Sequence, residues 1–242
     1  MALMTIRGLG LTGRLWPLDF DVQAGEVLAI IGPNGSGKTT LLRGMAGLGS
    51  DSGQIMLTGT PLNALTERTR ARLIGLMPQN CSSAWSLSVR EVVALGRLPW
   101  GDPGHTQIDI ALTRTGLDAL AERAIDRLSG GEQARAWLAR VLAGTPQLLL
   151  ADEPVASLDL RQQHEVLKLF REQAAAGSGV VIALHDLSLA ARYCDRLLLL
   201  SEGRLIAIGR PDEVLQADRL RAVYGIDLRI ANVGSKPMVV VD

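Results

Sequence analysis

One glycine-rich segment has the residue types and spacing needed to bind phosphate groups. Its sequence, Gly32-Pro33-Asn34-Gly35-Ser36-Gly37-Lys38-Thr39, fits the pattern G-x-x-x-x-G-K-[ST]. Glycines let backbone N–H groups turn inward around a phosphate, and the start of a following helix adds partial positive charge. We expect Lys38 to reach the β- and γ-phosphates of a nucleotide and Thr39 to ligate Mg²⁺. The following helix is expected to begin at Thr40, which we also expect to contact the nucleotide. The alternative is an ordinary glycine-rich turn between a strand and a helix.

Two neighbouring carboxylates follow an apolar segment later in the chain. Leu148 to Ala151 has the character of a buried strand, and Asp152 and Glu153 come directly after it. In an open parallel sheet, ligands bind at the carboxyl ends of the strands. We therefore expect Asp152 to hold Mg²⁺ through its water shell, and Glu153 to be the general base for the water that attacks the γ-phosphate. A polar loop is the alternative, and the phosphate loop favours the catalytic interpretation.

A second glycine-rich turn precedes a helical segment that ends near Ala143. Ser129 and Glu132 have the spacing of a capping box, so the turn is expected to begin a helix. Gly130 and Gly131 are unfavourable residues for the first turn of a helix. They are expected where a phosphate approaches the backbone closely.

The pattern of apolar residues predicts an α/β fold. The first part of the chain is β-rich, the middle part from about Val89 to Arg127 is helical, and the last part alternates strand and helix, which implies a largely parallel sheet with helices on both faces. The predicted strands are 27–31, 54–58, 74–77, 148–151 and 180–184, the predicted helices are 164–175 and 187–192, and hairpins are expected at 197–208 and 226–241.

Composition restricts the class of protein. The 242 residues are 47% hydrophobic, and Lys+Arg and Asp+Glu both number 25, so there is no basic excess that would indicate a nucleic-acid partner. The longest apolar runs are far shorter than the roughly 20 residues of a transmembrane helix. No signal peptide is recognised, and Cys81 and Cys194 lack metal-site spacing. A reduced cytosolic protein is expected, which would dock onto another subunit if it worked at a membrane.

The turn Leu128-Ser129-Gly130-Gly131-Glu132 resembles the signature motif of ABC ATPases. Gln79 resembles that family's Q-loop glutamine, Ser157-Leu158-Asp159 its D-loop, and His185 its switch histidine, all in the family's order. The resemblance covers nearly the whole chain. It implies one domain, 1–242, with a P-loop NTPase core, a mostly parallel sheet and an N-terminal antiparallel β lobe. It also implies a helical lobe inserted at about 85–143 and a β-like tail at about 226–242.

The resemblance further implies that ATP is bound with Mg²⁺ between two copies of the chain arranged head to tail. Ser129, Gly130 and Gly131 would contact the γ-phosphate held by the other copy, and Asp159 would link the two sites. Gln79 would contact Mg²⁺ and the water and would sense the membrane subunit. The implied catalytic residues are Glu153, His185, Gln79 and Lys38, and the implied metal-binding residues are Thr39, Gln79 and Asp152.

The adenine end of the site departs from the family pattern. Many members have an aromatic residue in the early β region that stacks on adenine, and counting back from Gly25-Glu26 places that position near Leu9. Trp16 lies closer to the phosphate loop and is the alternative stacking residue. A purely structural Trp16, packed within the β lobe, is the third interpretation, in which no aromatic contacts adenine.

Other segments resemble the ATPases of importers for iron-siderophores, haem and cobalamin. These are Ala94-Leu95-Gly96-Arg97-Leu98-Pro99 and Tyr224-Gly225-Ile226, and the segment Arg14 to Leu18 looks most like cobalamin importer ATPases. The resemblance implies integral-membrane permease subunits as partners, with a periplasmic binding protein acting indirectly. It places the chain at the cytoplasmic face of the inner membrane. We expect Gln79 to about Gly101 to form the permease-docking surface.

Three alternatives belong to other classes. A non-transport ABC ATPase of DNA repair would carry a long coiled coil between the halves of the site, and a translation-associated one would carry two phosphate loops. This sequence has a short helical segment and one such loop. A P-loop kinase would not need the signature turn. A regulatory subunit with a catalytically inactive site is disfavoured because the expected catalytic and metal-binding residues are present, namely Lys38, Asp152, Glu153 and His185.

Overall fold

The computed structural model describes residues 2–49, 51–79, 85–156, 158–233 and 236–241. Cys81 and Ser157 lie outside the described residues, so the expectations that concern them are not addressed by the structure. The described chain forms an α/β fold with a mostly parallel central sheet and an antiparallel sheet at the N-terminus. The predicted fold class is thereby confirmed.

The N-terminal sheet is antiparallel and has the strand order β2-β1-β4-β5. Apolar residues alternate along β1, where Met4 and Ile6 are fully buried and the exposed Arg7 follows. This alternation is the pattern of a strand with one face on the core. The strands are β1 (Ala2–Leu11), β2 (Leu15–Gln23), β4 (Ser52–Leu57) and β5 (Thr60–Pro61).

The central sheet has the strand order β10-β9-β3-β8-β7-β6, and all of its neighbouring strands are parallel except the edge pair β9 and β10. Its inner strands β3, β7 and β8 are buried along their whole length, which explains why they are continuous apolar runs without alternation. The strands are β3 (Val27–Ile31), β6 (Ile74–Met77), β7 (Leu148–Asp152), β8 (Gly179–Ala183), β9 (Arg196–Ser201) and β10 (Arg204–Gly209).

Two hydrophobic clusters cover the two faces of the central sheet. Leu28 and Ile30 of β3 belong to the cluster shared with the N-terminal sheet and the first helix, whereas Val27, Ala29 and Ile31 belong to the cluster shared with the other large helices. The helices are α1 (Lys38–Met45), α2 (Glu67–Leu73), α3 (Val89–Ala94), α4 (His105–Arg114), α5 (Gly130–Ala143), α6 (Leu160–Ala175), α7 (Leu187–Tyr193), α8 (Pro211–Val214) and α9 (Ala217–Tyr224).

The helical segment between β6 and β7 is built by α3, α4 and α5, which pack on one another. The helical pattern predicted for its first half is interrupted between α3 and α4, where a short 3-10 turn (Leu95–Arg97) leads into the stretch up to Gly104. Among the described residues, no helix combines the length and the apolar character needed to cross a membrane.

Several element boundaries differ from the sequence prediction. Helix α6 begins at Leu160, before the predicted start at His164, because the Asp159 carboxylate accepts a hydrogen bond from the Gln162 N–H at 2.8 Å and caps the helix. Helices α2, α8 and α9 were not predicted. The C-terminal hairpin was, and it consists of β11 (Leu228–Val233) and β12 (Lys236–Val241).

Candidate nucleotide site

The register of the parallel strands brings the candidate residues to one edge of the sheet. Strand β3 pairs with β8, β8 pairs with β7, and β7 pairs with β6, so their carboxyl ends lie side by side. Ile30 pairs with Ala183, which also pairs with Asp152. The phosphate loop, His185, Glu153 and Gln79 follow these strand ends within two residues. Their convergence is a consequence of the sheet order.

The phosphate loop leads directly into α1 without a side-chain cap. Gly37 is the N-cap residue and supplies no side-chain acceptor for the first turn. The first intrahelical bond of the helix is donated by the Leu41 N–H to the Gly37 carbonyl at 2.8 Å. The N–H groups of Lys38, Thr39 and Thr40 therefore have no acceptor within the helix and are available to an anion.

Gly32 is the loop position where a side chain is excluded by geometry. Its φ is +154°, and a Cβ atom there would lie 2.1 Å from the Leu200 carbonyl oxygen. A side chain at this position could be placed only by moving the backbone of β9. The glycine thus lets the loop pack directly against the sheet.

Lys38 is almost fully buried beneath the loop. Its Nζ donates to the Gly32 carbonyl at 2.9 Å and to the Pro33 carbonyl at 3.2 Å. Burial lowers the pKa of Lys38, and the negative charges of Glu153 and Asp152 oppose that shift. The ammonium group is thus held at the loop, among the groups that would surround a phosphate.

Glu153 lies at the end of β7 and is held by two other predicted residues. The Gln79 Nε2 donates to one carboxylate oxygen at 2.6 Å, and the His185 Nε2 contacts the other oxygen. Glu153 also has a φ of +50°, a conformation that costs a non-glycine residue roughly 1–3 kcal/mol and is common at functional sites. Of the four proposed catalytic residues, Gln79 and His185 thus both contact Glu153 directly.

Asp152 is buried beside them and has an oxygen without a partner. Its side chain is 3% exposed, and Oδ1 has no hydrogen-bond partner among the described residues. Burial raises the pKa of Asp152, and a hydrogen bond from Thr39 opposes the shift. A carboxylate oxygen, a threonine hydroxyl and the Gln79 amide oxygen are the hard oxygen donors that suit Mg²⁺. The residues present therefore fit this ion.

The loop and strand ends surround an open cleft with a volume of about 740 Å³. Pro33 and Ser36 belong to the loop but do not line the cleft, and neither do Gly32 and Asp152 beneath it. Four lining residues were not proposed from the sequence: Gly13 and Arg14 from the β1–β2 turn, and Glu202 and Gly203 from the β9–β10 turn. The lining residues are Gly13, Arg14, Asn34, Gly35, Gly37, Lys38, Thr39, Thr40, Gln79, Glu153, His185, Glu202 and Gly203.

The signature turn does not line this cleft. Ser129 caps α5, since its Oγ accepts from the Glu132 N–H and the Glu132 carboxylate accepts from the Ser129 N–H, which confirms the predicted capping box. Gly130 is exposed, and a Cβ atom there would meet no atom within 4 Å. Gly131 is buried against the Gln162 side chain. Packing within the chain thus accounts for a small residue at Gly131 but not at Gly130.

Asp159 also lies away from the cleft. It caps α6 and lines a separate cleft of about 600 Å³ together with residues of α4 and α6 such as Arg114 and Glu172. The structure therefore divides the predicted nucleotide-binding residues into two groups. One surrounds the phosphate loop, and the other, formed by Ser129, Gly130, Gly131 and Asp159, faces elsewhere.

Neither candidate for an aromatic contact with adenine lines the cleft. Leu9 is 1% exposed and belongs to the core. Trp16 is 55% exposed, and the Arg204 guanidinium lies 3.9 Å from the centroid of its ring. Trp16 is thus a surface residue of β2 that is covered on one face by Arg204.

Comparison with known proteins identifies the family. A sequence model described as ABC transporter matches residues 15–156, more than half of the chain. This chain belongs to the ABC transporter family. It is an ABC ATPase that binds ATP, as the phosphate loop and signature turn indicated.

Relatives and solved structures extend the similarity over nearly the whole chain. The hemin import ATP-binding protein HmuV of Myxococcus xanthus is 41% identical over 244 residues, covering 96% of this chain and 91% of that protein. The protein of the same name in Streptomyces coelicolor is 45% identical over 213 residues, which cover 86% of this chain and 76% of that protein. CbiO1 of Clostridium perfringens, part of the ABC transporter complex CbiONQ, superimposes with a TM-score of 0.80 at 31% identity, covering 91% and 93%. An inward-facing structure assigned to a metal-chelate type ABC transporter superimposes with a TM-score of 0.84 at 26% identity, covering 99% and 96%.

Proposed function

We propose that this ATPase powers a bacterial importer for haem or a related metal chelate such as an iron-siderophore or cobalamin. The observation that carries the proposal is the 41% identity, over 96% of this chain, to a protein named for hemin import. The similarity to a structure assigned to the metal-chelate type of transporter supports it. The rival assignments to DNA repair or translation have no comparable support.

The cargo is tested by reconstituting the chain with candidate permease and binding-protein subunits from the same genome. Transport assays in vesicles would compare haem, a ferric siderophore and cobalamin at matched concentrations. We expect haem to be transported in an ATP-dependent manner and to stimulate ATP hydrolysis. Transport of cobalamin or the siderophore alone would keep the importer assignment and correct the cargo. Absence of any ATP-dependent uptake would contradict both.

The geometry supports a hydrolytic mechanism in which Glu153 is the general base. Its carboxylate would take a proton from water as the water oxygen bonds to the γ-phosphorus and the bond to the bridging oxygen breaks. Gln79 and His185 hold the carboxylate at the cleft in the structure. Lys38, next to the phosphate loop, would offset negative charge on the transferred group.

Mg²⁺ would be held by Thr39, Asp152 and Gln79 together with phosphate oxygens. When bound, it would neutralise charge on the β- and γ-phosphates. The buried Oδ1 atom of Asp152, which has no partner among the described residues, supports this assignment. Asp152→Asn should retain ATP in the absence of metal and lose the gain in affinity that Mg²⁺ provides. An unaltered Mg²⁺ effect would remove Asp152 from the metal site.

We further propose that the active unit is a head-to-tail pair of copies. Ser129, Gly130 and Gly131 do not line their own chain's cleft, and Gly130 faces open space, so the glycine is not required by packing within the chain. Two glycines in the first turn of a helix are unfavourable by about 1 kcal/mol each. A phosphate held by a second copy would explain Gly130, for which packing within the chain gives no reason. Asp159, exposed at the start of α6, would lie at the same interface.

Gly130→Asp tests this arrangement in the Glu153→Gln background, in which ATP should hold two copies together. An aspartate at Gly130 has room in the isolated chain but would repel a partner's phosphate. We expect ATP binding to one chain to be unchanged and ATP-dependent dimers to disappear in analytical ultracentrifugation. Dimers that persist with normal affinity would refute the role of the signature turn in the pair.

The permease-docking surface is proposed to lie between Gln79 and about Gly101. Leu98 is 70% exposed and Trp85 is 75% exposed, so this segment presents two large apolar side chains to solvent. An adjoining groove of about 330 Å³ is lined by apolar residues that include Leu76, Leu95 and Pro99. An apolar segment of a membrane subunit would fit this surface. A peripheral position at the cytoplasmic face of the inner membrane follows from the proposal.

Leu98→Glu should prevent copurification with the permease while leaving the ATPase activity of the isolated subunit intact. The matched control is Ile110→Glu, since Ile110 is also exposed, at 54%, but lies on α4 outside the proposed surface. We expect the control to assemble normally. Normal assembly and coupling of Leu98→Glu would contradict the proposed surface.

A further inference from the structure

The nucleotide cleft has two ends of different chemistry. Gln79, Glu153 and His185 follow β6, β7 and β8, which lie on one side of β3 and its phosphate loop, whereas Glu202 lies in the β9–β10 turn on the other side. Arg14 belongs to the β1–β2 turn, which packs on the β9–β10 turn. The terminal phosphate must face the end that holds the general base. The base of a nucleotide bound to this loop therefore extends toward Arg14 and Glu202.

Backbone hydrogen bonds fix this second end relative to the phosphate loop. The Gly203 N–H donates to the Ser36 carbonyl at 2.9 Å, and the Gly203 carbonyl accepts from the Trp16 N–H at 2.9 Å. A Cβ atom on Gly203 would lie 2.4 Å from the Arg14 carbonyl oxygen, so the β9–β10 turn and the β1–β2 turn are in backbone contact. The backbone of Arg14 is consequently held at a defined position beside the loop.

The Arg14 side chain is exposed, and among the described residues it has no hydrogen-bond or ion-pair partner. No phenylalanine, tyrosine or tryptophan in the described part of the chain lines the cleft. Trp16 is two residues away but lies under Arg204 instead. A guanidinium group is planar, keeps its charge and stacks on aromatic faces, so it can cover a nucleobase where an aromatic ring is missing.

We propose that Arg14 stacks on the base of the bound nucleotide and replaces an aromatic residue at the adenine end of the site. The proposal rests on ATP binding in this cleft, with its phosphates on the loop. Stacking on a base depends little on the base edge, so ATP and GTP should respond alike to changes at Arg14. A guanidinium that paired with phosphate would instead act through charge alone.

Two ligands separate stacking from charge pairing. Binding of ATP and of inorganic tripolyphosphate would be measured by calorimetry, with EDTA present so that no hydrolysis occurs. Arg14→Ala should weaken ATP binding about tenfold and leave tripolyphosphate binding unchanged, since base stacking has roughly this magnitude. Arg14→Phe should bind ATP about as well as the unmodified chain, and Arg14→Lys should behave like Arg14→Ala, because only the first provides a flat surface.

Two control variants test whether the effect is specific to Arg14 and whether both ligands bind at the phosphate loop. Arg204→Ala removes an exposed arginine that is stacked on Trp16 and should leave both affinities unchanged. Lys38→Ala should weaken the binding of both ATP and tripolyphosphate. If it does not, the phosphate-binding site is wrongly assigned. An equal loss of ATP and tripolyphosphate in Arg14→Ala, or rescue by lysine and not by phenylalanine, would overturn base stacking. An unchanged ATP affinity in Arg14→Ala would overturn it as well.

Discussion

Replacing Glu153 by glutamine separates the chemistry of the site from its structure. Glutamine has nearly the same shape, and its carbonyl oxygen can still accept the hydrogen bond that Gln79 donates at 2.6 Å. The change converts a charge-assisted hydrogen bond into a neutral one, a difference of about 1 kcal/mol in stability. Removing a general base typically slows a reaction about 10²- to 10⁴-fold. At 1.36 kcal/mol per tenfold, the activation barrier should rise by about 3–5 kcal/mol.

Unlike the rate of hydrolysis, the affinity for ATP should not fall when Glu153 is replaced by glutamine. Glu153 adds negative charge beside Lys38, where it opposes the lowering of the lysine's pKa by burial. The same negative charge repels an approaching triphosphate. Neutralising it should leave ATP binding unchanged or make it tighter. Phosphate release under saturating Mg²⁺ and ATP would give the rate, calorimetry the affinity, and thermal unfolding the stability.

The matched control is Glu67→Gln, which removes the same charge at an exposed position on α2 that does not line the cleft. We expect this variant to hydrolyse ATP at the unmodified rate. Turnover by Glu153→Gln within threefold of the unmodified rate would falsify the assignment of Glu153 as general base. A loss of both ATP binding and thermal stability would show instead that Glu153 is needed for the local fold.

Three further changes test separate parts of the structure. Lys38→Ala should weaken ATP binding about 10- to 100-fold, as loss of a charged hydrogen bond requires, without lowering the melting temperature by more than a few degrees; calorimetry and thermal unfolding measure both. Gly96→Ala should destabilise the helical segment by about 1–3 kcal/mol in urea unfolding, since its Cβ would lie 2.0 Å from the Arg140 carbonyl oxygen, and an unchanged midpoint would contradict this packing. Burial raises the pKa of Tyr224 to about 12, so an unfolded tyrosine ionises first and stability should fall by about 2 kcal/mol as the pH rises from 10 to 12. Tyr224→Phe should remove this alkaline loss in urea unfolding measured across that pH range, and an identical pH dependence would contradict it.

Lys38 and Glu153 could be recognised from the sequence because their signals are local, whereas Gln79 and His185 were assigned through the family resemblance. Glu153 directly follows a short buried strand, and apolar runs of that kind indicate parallel strands whose carboxyl ends bind ligands. Helix α6 shows where a local signal was overlooked. Asp159 was assigned only to an interface, although an aspartate is also a strong N-cap, and the predicted helix consequently began too late.

The adenine end of the site could not be predicted because it depends on contacts between distant segments. Arg14 and Glu202 lie in two turns far apart in sequence, and only the packing of the β1–β2 turn on the β9–β10 turn brings them to one cleft. Counting back from Gly25-Glu26 predicts the stacking position near Leu9, which is buried in the core. Trp16 alternates with the buried Leu15 along β2, and that alternation turns its side chain toward solvent and Arg204.

The sequence by itself determined that the chain has a phosphate loop, a carboxylate pair, a capping-box turn and an α/β fold. Each of these depends on residues close together in the chain, where backbone geometry, strand patterns and helix caps act. The tertiary structure decided which residues share a cleft. It joined Gln79 and His185 to Glu153, separated the signature turn from the phosphate loop, and placed Arg14 at the base end. Sheet order and turn packing are non-local, so the residues of one strand or turn alone do not specify them.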